Sequence, residues 1–238
     1  MPWDVWLIFF VLGVVVPWRG RMRLRELLAK PHVGTGERVS LYASTIAFQW
    51  VTAGVVGWRA WARGFTAAQL GLLTHGGSKI PVAAVLGAGI LGGLHWLNLR
   101  RMGRLPPKTR GVLQALAERI LPQSPVEILP FLALAVTAGV CEEFLYRGFA
   151  MAAFDRAGLP VWSALLLSSA LFGLAHLYQG RGGLAGTMIL GTLFAAARIR
   201  YDSVVPVMLW HVAVDVVAGI VGPRYLTGRP VSTGDITS

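Results

Sequence analysis

Charge is scarce in this chain. Only 14% of its 238 residues are Asp, Glu, Lys or Arg, against about a quarter in soluble domains, and the mean hydropathy is +0.59. Acidic residues are the scarcer sign, 11 against 22 basic ones, which leaves a formal charge of +11. A single cysteine, Cys141, excludes an internal disulfide. No low-complexity tract or internal repeat stands out, and the apolar residues fall in long blocks rather than in amphipathic stripes. These absences exclude an ordinary soluble domain and a disulfide scaffold. What is left is an all-α polytopic transmembrane helical bundle.

The basic excess does not indicate nucleic acid. Its residues cluster in short segments beside apolar blocks, as in Arg19-Gly20-Arg21-Met22-Arg23-Leu24-Arg25 and Leu99-Arg100-Arg101-Met102-Gly103-Arg104, and no aromatic-basic module accompanies them. That is how cytoplasmic loops of membrane proteins look, so the expected partners are membrane lipids, anionic ones included. Asp4 stands where a cleavable signal would be basic, and Trp18-Arg19 follows the first apolar run where small residues would be expected, so this run reads as an uncleaved anchor.

About seven spans, within a range of six to eight, are expected: Val5 to Trp18, Ser40 to Trp58, Ile80 to Leu97, Val126 to Phe154, Pro160 to Tyr178, Gly183 to Ile199 and Ser203 to Val221. The first is short enough to lie partly in the interface. Between Arg59 and Lys79, Phe65 to Leu73 reads either as an interfacial helix or as an extra crossing. His32 and His75 fall in loops and are expected to be solvated, and His95 reads as interfacial or hydrogen-bonded. The organisation expected is N-terminal membrane helices and basic loops over 1–125, a helical core over 126–222 and a polar tail over 223–238. Alternating spans put 15 of the 22 Lys and Arg residues on one side, the cytoplasmic one, with the N-terminus outside.

Ionisable residues nevertheless occur inside these spans: Glu142-Glu143 with Arg147, His176 one turn after Phe172, and His211 with Asp215. Each charge near a bilayer centre costs about 2.5–3.5 kcal/mol on insertion scales, so several together imply a use. Counting 1.5 Å per residue from the shared membrane face puts Glu142 about 18 Å deep, His176 about 24 Å, His211 about 12 Å and Asp215 about 18 Å. One slab of the bilayer holds all four. Glu143 and Arg147, four apart on a helix, can pair. Glu142 then points about 100° away, toward a cavity. His211 and Asp215 are also four apart, so the carboxylate can orient the imidazole or share a ligand with it.

Carboxylates and imidazoles are the groups from which hydrolytic centres are built. The ordered set Glu-Glu-x-x-x-Arg, Phe-x-x-x-His and His-x-x-x-Asp on successive membrane helices resembles the CPBP family, the CAAX-protease and bacteriocin-processing (Abi) intramembrane proteases. The resemblance covers Glu142 to Asp215 and implies a hydrolase of membrane-embedded or lipidated protein substrates. It makes Glu142 the catalytic glutamate, supported by Glu143 and Arg147, with His176 holding the water and His211 and Asp215 completing the centre. Two mechanisms suit these residues. In one, Glu142 acts as general base and His211 stabilises the oxyanion. In the other, His176 and His211 with Glu142 or Asp215 bind a metal such as Zn²⁺, giving a metalloprotease. Asp215 stands where many family members have Asn, and an ionised Asp cannot donate to an oxyanion. Cys141 as a nucleophile is the rival within enzymes, and an immunity or binding protein is the rival outside them. A prokaryotic cytoplasmic membrane is the expected location.

Overall fold

The computed structural model describes residues 1–73 and 79–227, the side chains of 107–112 excepted. His75 and residues 228–238 of the expected polar tail lie outside the described residues. Among the described residues there are eight helices and no strand: α1 (Trp3–Ala29), α2 (Thr35–Ala62), α3 (Lys79–Gly103), α4 (Pro107–Ile120), α5 (Pro125–Arg156), α6 (Val161–Ala175), α7 (Gly180–Tyr201) and α8 (Val205–Leu226). Six of them, all but α4 and α6, are long and apolar enough to cross a membrane. The all-α polytopic bundle read from the sequence is the fold, and the protein is an integral membrane protein.

Two local expectations are corrected, and neither of the two readings open for 65–73 holds, since that segment is a run of turns. The first span does not stop at Trp18, because α1 runs on through the basic segment to Ala29. Pro17 has no N–H to give to the preceding turn, and the π-helical turn Val11–Val15 just before it absorbs the irregularity without ending the helix. The segment 65–73 does not cross. Val204 N–H donates to the Gly71 carbonyl (2.9 Å) and Arg156 donates to the Arg63 and Gly64 carbonyls, so it lies against the end of α5 and the start of α8. The fifth span is not complete by itself: α6 ends at Ala175, and a 3₁₀ turn, Leu177–Gln179, with Gly180 at φ +80° reverses the chain. Its 15 residues cover only about 22 Å. Helix α4, which hydropathy did not reveal, packs Ala117 against Leu99 and Leu226 at one end of the bundle.

Two ion-pair clamps mark the two ends. Near one end, Arg38 of α2 meets Glu127 of α5 in a bidentate pair at 2.7 and 3.0 Å, and Glu127 also accepts from the Gln123 N–H at 2.8 Å. Near the other, Asp4 of α1 takes Arg59 of α2 and Arg63 just past its end. With Arg38 and Glu127 clamped at one end and Gly57 beside Phe144 toward the other, α2 runs parallel along α5. His32 is exposed, as expected, while His95 Nε2 is buried without a hydrogen-bond partner among the described residues.

Both side chains of the Arg38–Glu127 pair are buried, so removing one partner strands a buried charge. Glu127→Ala is expected to destabilise the protein by about 3–5 kcal/mol, measured by unfolding in detergent. The double change Arg38→Met with Glu127→Leu is expected to recover most of that loss.

Candidate active site

Helix α5 delivers the glutamate pair at a change of helical type. Its α-helical part closes at Glu143, and a π-helical segment, Phe144–Ala150, follows, carrying Arg147. Across the widened turn the expected i, i+4 pair still forms, with Arg147 Nη1 donating to Glu143 Oε1 at 3.0 Å. Both side chains are 0% exposed. The Arg147 guanidinium lies over the Phe172 ring at 4.1 Å and 5.6 Å from that of Phe194, so α6 and α7 close over it. Gly191 of α7 makes room: a Cβ there would stand 2.8 Å from Arg147 Nη2.

The sequence placed Asp215 as the group that orients His211. The structure puts another carboxylate nearer. His211 Nδ1 lies 2.8 Å from Glu143 Oε1, whereas its Nε2 is 3.7 Å from Asp215. A carboxylate oxygen accepts, so Nδ1 carries the proton and Nε2 is turned toward Asp215. Glu143 therefore joins Arg147 on its own helix to His211 on α8. Gly139 permits the approach, since α8 backbone atoms of Met208 and Val212 would lie only 2.9–3.0 Å from any Cβ at that position.

Glu142 faces the other way, as the 100° rotation required. It and His176 line a cavity of about 240 Å³ between α1, α2, α5 and the end of α6. His176 caps α6, and its Nδ1 sits 2.9 Å from the Phe172 carbonyl oxygen. That oxygen only accepts, so the neutral ring presents the lone pair of Nε2 to Glu142 Oε2, 3.8 Å away. This is too long for a direct hydrogen bond but within reach of one water bound to both. The cavity wall is largely apolar (Leu12, Val16, Leu41, Phe48) and also carries the guanidiniums of Arg19 and Arg23.

The six motif residues thus form two neighbouring clusters, joined through Phe172, whose ring contacts both His176 and His211. His211 and Asp215 are not among the cavity-lining residues, although Asp215 interacts electrostatically with Glu142, Glu143 and His176. Cys141 is 1% exposed and does not line the cavity. A metal ion fits this arrangement poorly: among the described residues no three His, Cys, Asp or Glu side chains converge to hold one. The sequence missed Gln49, whose amide reaches Glu142 from α2. Only its polarity within an apolar span marked it.

Adding a methyl at Gly139 forces α5 and α8 apart where Glu143 meets His211. Gly139→Ala is expected to cost about 1–3 kcal/mol of stability, measured by unfolding in detergent. It should also lower any hydrolytic activity, whereas Gly54→Ala, with nothing near its would-be Cβ, should leave both unchanged.

No curated protein and no solved structure matches the chain. A family model does: residues 124–217, which contain all six motif residues, match the model of the family described as type II CAAX prenyl endopeptidase Rce1-like.

Proposed function

We propose that the protein is an intramembrane endopeptidase that hydrolyses a peptide bond of a lipidated or membrane-embedded protein by means of a glutamate-activated water. The observation that carries this reading is the facing of Glu142 Oε2 and His176 Nε2 across 3.8 Å at the wall of a mostly apolar cavity. The family match supports the same class of reaction, since its description names an endopeptidase of CAAX prenyl substrates.

The chemistry follows from the two acceptors. A water donating one hydrogen to His176 Nε2 and the other to Glu142 Oε2 directs an oxygen lone pair at a substrate carbonyl. As the C–O bond forms, Glu142 takes the water's proton and the carbonyl oxygen becomes an oxyanion. When the C–N bond breaks, Glu142 returns that proton to the leaving amine. The positive pole for the oxyanion falls to His211, which meets the Phe172 ring from outside the cavity lining. That role requires protons on both of its nitrogens, and a carboxylate stands at each: Glu143 at Nδ1 and Asp215 at Nε2. The apolar wall suits a lipid-modified chain, while Arg19 and Arg23 suit a substrate with an acidic group. Arg23 already donates to Ser44 Oγ at 3.2 Å, and neither arginine has a carboxylate partner among the described residues.

The test is cleavage of a fluorogenic, farnesylated peptide with a CAAX tail by the purified full-length protein. Glu142→Ala is expected to lower the rate by at least about a hundredfold, and Cys141→Ala to leave it within about twofold. A chelator is expected to have no effect. Activity surviving Glu142→Ala would sink the glutamate assignment, loss confined to Cys141→Ala would establish the thiol, and loss on chelation restored by zinc would establish the metal.

A further inference from the structure

The matched core begins at residue 124, yet it does not hold the candidate glutamate alone. Gln49, near the middle of α2, reaches across the α2–α5 interface, with Nε2 2.7 Å from Glu142 Oε1. The register of α2 at this level is fixed on both sides. Trp50 Nε1 donates to Thr137 Oγ1 at 3.2 Å, and Gly57 lies against Phe144. Neighbouring polar residues on α2 serve their own helix: Thr45 and Thr52 donate to the carbonyls of Leu41 and Phe48. Gln49 differs. Its carbonyl oxygen is buried with no partner, a desolvation cost that an apolar residue would avoid. What the amide gives in return is one charge-assisted bond to Glu142.

We infer that Gln49 is the positioning residue of the reacting carboxylate, which makes the site a joint product of α2 and the matched core. The inference rests on the reading of Glu142 as general base. A glutamate side chain rotates freely, and either oxygen could face the water. The Gln49 amide occupies Oε1 and leaves Oε2, the oxygen opposite His176 Nε2, to take the proton. Gln49 acts through Glu142 and so affects the chemical step more than substrate capture. His176 is fixed in the same manner by the Phe172 carbonyl. Both partners of the water are therefore aimed by one hydrogen bond each, from different helices.

The test uses the full-length protein and the farnesylated CAAX peptide, with Gln49→Met, which keeps the shape and loses the donor, and Gln49→Asn, which keeps the amide but shortens its reach. Both variants are expected to lower kcat by about tenfold to a hundredfold, with KM within about twofold and the thermal unfolding midpoint unchanged. Unchanged kcat in Gln49→Met would overturn the inference. So would a loss that tracks a fall in the unfolding midpoint, since that marks a merely structural role. Glu142→Gln, assayed in parallel, separates the two levels. If it stays active, the glutamate mechanism fails; if it is dead while Gln49→Met is fully active, only the positioning role fails.

Discussion

The buried carboxylate of Glu143 is the interaction on which the site depends. Taking a carboxylate, a guanidinium and an imidazole out of water is tolerable only where each finds a partner. Here one oxygen serves two, accepting from Arg147 at 3.0 Å and from His211 at 2.8 Å. The first contact is local to α5 and the second ties α5 to α8. Arg147 carries the constraint further, because its guanidinium rests on Phe172 of α6 and lies against Gly191 of α7. Four helices are thus referenced to one ionised group. The small residues Gly139 and Gly191 allow the backbones near enough for its short contacts.

Glu142, the neighbouring residue, inherits this fixed frame while pointing elsewhere. One helical step of about 100° separates a fully buried carboxylate from one that is 17% exposed at a cavity wall. The adjacent pair divides the work, since one carboxylate anchors the helices and the other meets the cavity. The cavity itself is completed by α1 and α2, from outside the region that matches the family. Helix α2 does more than line that space, because Gln49 also reaches Glu142 itself.

Much of this was legible in the sequence, for identifiable reasons. Long apolar blocks gave the helices, and the cost of charge in lipid singled out Glu142, Glu143, Arg147, His176, His211 and Asp215. Helical spacing gave the Glu143–Arg147 pair and the outward turn of Glu142. Partners across helices were not legible, because spacing reports only on one helix at a time. Hence His211 was paired with Asp215 on its own helix, while the nearer carboxylate is Glu143 on another. Gln49 was missed for the same reason. The early end of α6 escaped hydropathy, which stays high through Tyr178 while the backbone turns at His176 and Gly180.

The proposed attack by water forms no covalent enzyme intermediate, and isotope tracing tests this. The purified protein would be mixed in excess with the farnesylated CAAX peptide in ¹⁸O-water, quenched through a single turnover, and both product and protein weighed by mass spectrometry. One ¹⁸O is expected in the new carboxyl terminus, with an unchanged protein mass at every time point. A protein species heavier by the acyl fragment of the peptide, forming and decaying with turnover, would contradict it.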